Sequence, residues 1–346
     1  MTTMTNQDVQ VTIGVDTHLD THVAVALNQI GRTLAIESFP ADPVGYRRLI
    51  AWAERLGRVE RFGIEGTGCY GAGLARTVTR AGHRVVEIDR PDRRTRRARG
   101  KSDPVDAEAA ARAVLAGAAA GVPKTRDGDV EAIRALRVAR RGAVRIRIQT
   151  ANQLHALVIS APETLRQELR SLTTRQLVAS ASRFRPGSDL DATAATKHAM
   201  RVLARRHQDV DTDIADLDEF LERLVPRACP ALLELFGVGL DTAGALLVTA
   251  GDNPERLHSD PAFASLCGLA PLPASSGKTV DRHRLNRGGD RQANAALYRI
   301  VLCRLRYDQA TRAYVERRTK EGRTKPEIIR CLKRYVAREV RHALQA

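Results

Sequence analysis

The pattern of apolar and polar positions changes character about a third of the way along the chain. The first ~125 residues alternate as strands and helices do in an α/β domain. Residues 9–15 alternate apolar side chains and end at Asp16. Residues 21–27 and 33–39 flank the turn at 28–31, so the three runs predict a meander of strands. Residues 46–56 have the spacing of an amphipathic helix. Residues 62–64 predict a short strand that delivers Glu65, and the glycine-rich stretch 66–73 opens a helix through Arg80. Residues 84–88 predict another strand, and 103–116 a helix.

Beyond a Pro-punctuated linker at 117–124 the spacing turns helical. Residues 130–158 predict a basic helix carrying Arg134, Arg137, Arg140, Arg141, Arg145 and Arg147. A second long helix covers 192–224, where Val210, Ile214, Leu217, Leu221 and Leu224 step by four and three, the seam of a coiled coil. An antiparallel hairpin and a dimerising coil both satisfy that seam. The stretch between Ile159 and Ala228 is otherwise irregular and matches no motif. Pro230 begins a third region, where 235–240 and the apolar run 243–248 suggest a helix–hairpin–helix unit. Its Gly-x-Gly turn would offer backbone N–H groups to phosphate. A Pro/Ser/Gly-rich loop at 268–279 and three basic helices, near 291–306, 309–320 and 326–344, complete the chain. The expected division is 1–125, 126–228 and 229–346.

Charge narrows the partner. Fifty-six Lys+Arg against 40 Asp+Glu leave a formal charge of +16, which favours a polyanion. The charge is clustered: residues 90–101 hold seven basic side chains in twelve, with Arg93, Arg94, Arg96, Arg97, Arg99 and Lys101 as candidate nucleic-acid contacts. Lys278, Arg282, Arg284 and Arg287 form a second group. The five cysteines make no CxxC pair, which argues against a disulfide framework or zinc site and fits a reducing cytoplasm. The polar N-terminus and the absence of a long apolar segment predict a cytoplasmic protein with no membrane contact.

Within this basic chain four carboxylates stand out. Asp16 and Glu65 each end a strand, and Asp103 and Asp106 begin a helix, so an α/β sheet can gather all four at one edge around hard cations. Ser102-Asp103-Pro104-Val-Asp106 also reads as an ordinary helix start, with Asp103 as the cap and Pro104 first in the helix. Asp16 and Glu65 cap nothing, and a carboxylate ending a buried strand needs a partner or a metal. His18 and His22 lie four apart on a strand or turn with no HExxH order, so a zinc site there is discounted. Thr67, Cys69 and Tyr70 read as core packing. In the loop, Ser275 and Ser276 precede Gly277 and Lys278, and taken alone they read as a Ser-Gly turn.

The order three strands, helix, strand, helix, strand, helix is that of a ribonuclease-H-like domain. Ile13-Gly-Val-Asp16, Gly63-Ile-Glu65-Gly-Thr-Gly68 and Lys101-Ser-Asp103-Pro-Val-Asp106-Ala resemble the DEDD transposases of bacterial insertion sequences, relatives of the Piv invertase. Leu235-Phe-Gly-Val-Gly239 and Cys267-Gly-Leu-Ala-Pro271, with the Ser275–Lys278 segment, resemble that family's C-terminal domain. The resemblance implies an α/β ribonuclease-H-like (RuvC-like) N-terminal domain, a helical coiled-coil region and a mostly α C-terminal domain. It implies Asp16, Glu65, Asp103 and Asp106 as ligands of Mg²⁺ (or Mn²⁺), and Ser276 as a nucleophile that joins covalently to double-stranded DNA. It further implies a homo-oligomer, dimer or tetramer, with a composite site from two domains, a structured non-coding guide RNA, and a place on the bacterial nucleoid. Two other readings of the same residues remain: a RuvC-like nuclease that uses water and does not need Ser276, and a non-catalytic binder whose carboxylates are caps.

Overall fold

The computed structural model describes residues 9–88, 102–187, 191–273, 275, 283–285 and 288–346, with the backbone alone for 283–285. The chain forms two compact units, residues 1–126 and 127–346.

The first unit is built on a mixed five-stranded sheet. Its strands are β1 (Gln10–Thr17), β2 (Thr21–Asn28), β3 (Thr33–Pro40), β4 (Arg58–Glu65) and β5 (Val85–Ile88), in the order β3-β2-β1-β4-β5. β1 pairs antiparallel with β2 and parallel with β4, and β4 pairs parallel with β5. β1 is central, and its residues from Val11 to Thr17 are buried. Strand alternation sorts them: Val11, Ile13 and Val15 pack with Phe62 and Ile64 against α1 (Pro43–Leu56) and α2 (Ala72–Arg80). α1 starts three residues earlier than periodicity suggests, because Asp42 caps it, Oδ1 accepting from Gly45 N–H at 2.7 Å. β4 runs eight residues instead of three, since Arg58–Arg61 pair with β1 despite their charge.

The opposite face of the sheet is made for one helix, α3 (Asp103–Leu115). Gly14 and Gly63 are partners across β1 and β4. A Cβ on Gly14 would lie 2.1 Å from the Ala107 carbonyl oxygen, and one on Gly63 would lie 2.6 Å from Val114 Cγ2. The helix answers with Ala107, Ala110 and Ala111, so its backbone rides directly on the strands.

In the second unit α4 (Asp129–Ser160) and α7 (Ala192–Ala228) lie antiparallel, tied by Arg227–Asp129, Arg140–Asp218 and Arg147–Asp211. The long helices thus pair as an antiparallel hairpin within this chain, one of the two arrangements the seam allows. The irregular stretch between them contains α5 (Glu163–Leu169) and α6 (Thr174–Ala181), whose Leu165, Leu169 and Leu177 close a small core with Leu154 and Met200. Then follow α8 (Ala231–Glu234), α9 (Leu240–Ala250), α10 (Asp260–Leu266), a hairpin of β6 (Pro271–Pro273) and β7 (His283–Leu285), and α11 (Arg291–Tyr307), α12 (Gln309–Lys320) and α13 (Lys325–Ala343). α9 is buried nearly all round and forms the centre of this unit's main core with α11 and α13. Among the described residues no helix is long and apolar enough to cross a membrane.

Candidate metal centre and nucleic-acid interface

Placing α3 on a glycine floor has a direct chemical result. Asp16 lies two residues beyond Gly14 and Glu65 two beyond Gly63, so strand alternation turns both carboxylates to the face that α3 covers. The last registered pair, Val15 with Ile64, leaves Asp16 and Glu65 side by side at the strand ends, where Thr17 Oγ1 donates to the Glu65 carbonyl at 2.9 Å. α3 begins over the same edge and brings Asp103 and Asp106 in its first turn.

The capping reading of Asp103 does not hold. Ser102, with extended backbone, is the residue before the helix, and Pro104 is second within it. Asp103 faces His18 instead. His18 Nε2 stands 3.1 Å from Asp16 Oδ2 and 3.3 Å from Asp103 Oδ1, and one ligand atom from each of the three residues lies within 4.8 Å of the others. Asp16 and Asp106 are buried, at 7% and 4% exposure, and Glu65 is half-buried. Burial raises the Asp16 carboxyl above its usual range; His18 opposes this, and the negative charges of Asp106 and Asp103 add to it. A cluster that repels itself in this way is stabilised by a cation. Carboxylate oxygens with one imidazole form a suitable donor set for a hard divalent ion.

His18 is the residue that sequence reasoning passed over. Its signal was proximity, two places beyond a strand-ending aspartate, rather than any zinc-like spacing. His22 does not join the cluster: it is buried on the other face of the sheet, stacked on Tyr46 at 5.6 Å between ring centroids. Of the residues read as core beside Glu65, only Thr67 is buried, and its hydroxyl donates to Glu87; Cys69 and Tyr70 are exposed. They ride on a turn at Gly66, whose φ of 66° and carbonyl, accepting from Cys69 and Gly71 N–H, fold the chain back before α2.

The serine loop is the connection of the β6–β7 hairpin, in which Leu272 pairs with Arg284 and Pro273 with His283. Ser275 is exposed. Ser276, Lys278, Arg282 and Arg287 lie outside the described residues, as does the side chain of Arg284. The basic run with Arg93, Arg94, Arg96, Arg97, Arg99 and Lys101 also lies outside them. The Gly-x-Gly turn is less available to phosphate than its sequence suggests. Gly239 N–H donates to Thr242 Oγ1 at 3.0 Å and Val238 N–H to the Leu235 carbonyl at 3.0 Å.

A cluster of carboxylates at the edge of a mixed sheet, in a chain with a second, helical and strongly basic unit, is the arrangement to be set against known proteins. The comparisons make this particular. The DEDD transposase family model of the IS110 kind matches residues 13–161, and the model of the IS116/IS110/IS902 transposase family matches residues 229–316. The chain belongs to the IS110 transposase family. It is 30% identical over 151 residues to the insertion element IS900 uncharacterized 42 kDa protein of Mycobacterium paratuberculosis, covering 43% of this chain and 37% of that one. With the insertion element IS110 uncharacterized 43.6 kDa protein of Streptomyces coelicolor it shares 36% identity over 103 residues, 29% of this chain and 24% of the relative. These matches thus span well under half of either relative. A longer match, 26% over 249 residues, 69% of this chain and 70% of the other, is to the transposase for insertion sequence element IS1328 of Yersinia enterocolitica.

Proposed function

We propose that this chain is a DNA transposase that cuts and rejoins double-stranded DNA through a covalent phosphoserine. The observation that carries the reading is the gathering of Asp16, Glu65, Asp103 and Asp106 at one sheet edge, where Asp103 and Asp106 load the buried Asp16 carboxyl with like charge. The first unit is a ribonuclease-H-like, RuvC-like domain. In support, the strand order is β3-β2-β1-β4-β5, with β2 alone running against the others. The chain divides functionally into 1–125, the catalytic domain, 126–228, the helical pair, and 229–346, the domain of the serine hairpin.

Asp16, Glu65, Asp103 and Asp106 hold Mg²⁺ or Mn²⁺, with His18 beside them, and a divalent ion there supplies Lewis-acid stabilisation of charge on a phosphodiester. Ser276 Oγ attacks the phosphorus; its proton passes to a carboxylate base, and the P–O bond to the 3′ oxygen breaks. That oxygen takes up a proton, leaving a 5′-phosphoserine and a free 3′-hydroxyl. Attack by the partner strand's 3′-hydroxyl reverses the step, so the phosphodiester energy is retained and no nucleotide is consumed. Arg93, Arg94, Arg96, Arg97, Arg99, Lys101, Lys278, Arg282, Arg284 and Arg287 neutralise phosphates of the DNA and of a structured guide RNA. The working form is a homo-oligomer, dimer or tetramer, acting on the nucleoid in the cytoplasm.

A covalent-trapping assay tests this. Protein, flanking RNA, Mg²⁺ and labelled donor and target DNA are combined and run on a denaturing gel, with Ser276→Ala and Asp16→Ala in parallel. The expected result is a retarded protein–DNA band in the wild type alone. Cleavage without that band, kept in Ser276→Ala and lost in Asp16→Ala, would leave a nuclease that uses water.

A further inference from the structure

The helical unit buries a lysine in its main core. Lys333, on α13, is 7% exposed, and burial, reinforced by Arg330, lowers the pKa of its ammonium. Its partner among the described residues is an uncharged amide: Nζ donates to Asn294 Oδ1 at 2.9 Å. Asn294 sits in the first turn of α11 and passes the contact on, Nδ2 donating to the Cys267 carbonyl at 2.9 Å and the Gly268 carbonyl at 3.3 Å.

Those two carbonyls follow α10 and open the outgoing arm of the β6–β7 hairpin. The returning arm closes on the same point. A Cβ on Gly289 would stand 2.5 Å from Gly268 N, and Asp290 N–H donates to the Leu266 carbonyl at 2.7 Å. Asp290 is held in turn by Thr249 Oγ1 at 2.9 Å while it caps α11. The stem of the hairpin is thus stitched to the core by two part-buried polar contacts, Thr249 to Asp290 and Lys333 to Asn294.

Lysine can only donate and the two carbonyls can only accept, so Nζ completes the arrangement that holds Asn294 with Oδ1 towards it and the NH₂ group towards the stem. A methionine would fill the same space without the desolvation cost of an ammonium, and exchanges of buried charge for apolar groups are often neutral or stabilising. The charge therefore serves the orientation of the amide, and through it the stem. We propose that Lys333, acting through Asn294, is a positioning residue for the hairpin that presents Ser276. This rests on reading Ser276 as the nucleophile, because that is what the stem would position.

The test uses the full chain with Lys333→Met, Lys333→Arg and Ser276→Ala, and three readouts. These are thermal melting, amide hydrogen exchange of the stem peptides around residues 264–273 and 283–290, and the rate of covalent attachment to labelled DNA with flanking RNA and Mg²⁺. Lys333→Met is expected to melt at or above the wild-type temperature, to exchange stem amides about tenfold faster, and to attach about tenfold more slowly. Lys333→Arg, which keeps a donor-only group, should recover most of that rate. Melting that falls in step with attachment would make Lys333 a core residue and overturn the proposal; so would unchanged stem exchange. If Ser276→Ala still forms the covalent band, or the wild type never does, the serine reading fails. The exchange result then still decides whether Lys333 holds the stem.

Discussion

The acids of the two units keep opposite company. In the helical unit carboxylates are matched by arginine. Although burial works against it, Asp241 has a lowered pKa because Arg137 and Arg299 both reach it, at 2.7 and 2.6 Å. Asp260 is lowered by its hydrogen bond from Arg341, and Asp129 by that from Arg227. In the sheet unit Asp16 has a raised pKa, for the reason that burial and two further aspartates outweigh a single histidine. A paired acid holds helices together, whereas a crowd of acids at the end of a central strand stores electrostatic strain that folding alone does not relieve. The difference separates paired charge from crowded charge within one basic chain.

The sharpest way to break the contrast is to remove the floor that brings the acids together. Gly14→Val forces a side chain into the α3 backbone and should cost about 3 kcal/mol or more. Urea unfolding followed at Trp52, the single tryptophan and buried in this unit, reads it; a wild-type transition would refute the close-packed floor. Next in size is Arg137→Ala, which leaves Asp241 with Arg299 and empties a buried site. A loss of about 3 kcal/mol is expected in the helical signal of circular dichroism, with the Trp52 transition unchanged. Asp106→Asn should do the reverse of a usual core change. It should stabilise the metal-free chain by about 1 kcal/mol, while calorimetry records Mn²⁺ binding weakened about tenfold. An unchanged affinity would remove Asp106 from the site.

The smallest effect concerns pH, and its sign differs between the units. Asp241 and Asp260 have folded values below 3.8, so their contribution is full above that pH and is lost as pH falls through the folded values. Asp16 has a folded value above 3.8; its contribution is present below 3.8 and is lost as pH rises through the folded value. Acidification should therefore lower the helical unit's melting temperature while sparing the Trp52 transition. A parallel fall of both would contradict the assignment of charge.

Much of the sheet unit could be read in the chain because period-two alternation and the glycine turn at Gly66 are local signals. Asp16, Glu65, Asp103 and Asp106 were legible as strand ends and a helix start, yet what collects them is Gly14 and Gly63, which sequence reasoning did not single out as a packing surface. His18 was missed because its role depends on Asp103, far away along the chain. The long helices were legible from their seam, but their pairing was not, since Arg140–Asp218 and Arg147–Asp211 are long-range choices. The helices α5 and α6 were invisible because each is short and its apolar residues are completed by Leu154 and Met200 from the long pair.

The position of β1 also sets an order of events during synthesis. β2 and β3 can pair with it as soon as they emerge, since short turns join all three. β4 must wait until α1 has been made, and α3 arrives last, over a sheet whose glycine channel is already laid out. On a ribosome the nascent chain therefore carries Asp16 long before Asp103 and Asp106 exist to surround it. The sheet can form while its carboxyl edge is still incomplete, and the like charges meet only when the final helix docks.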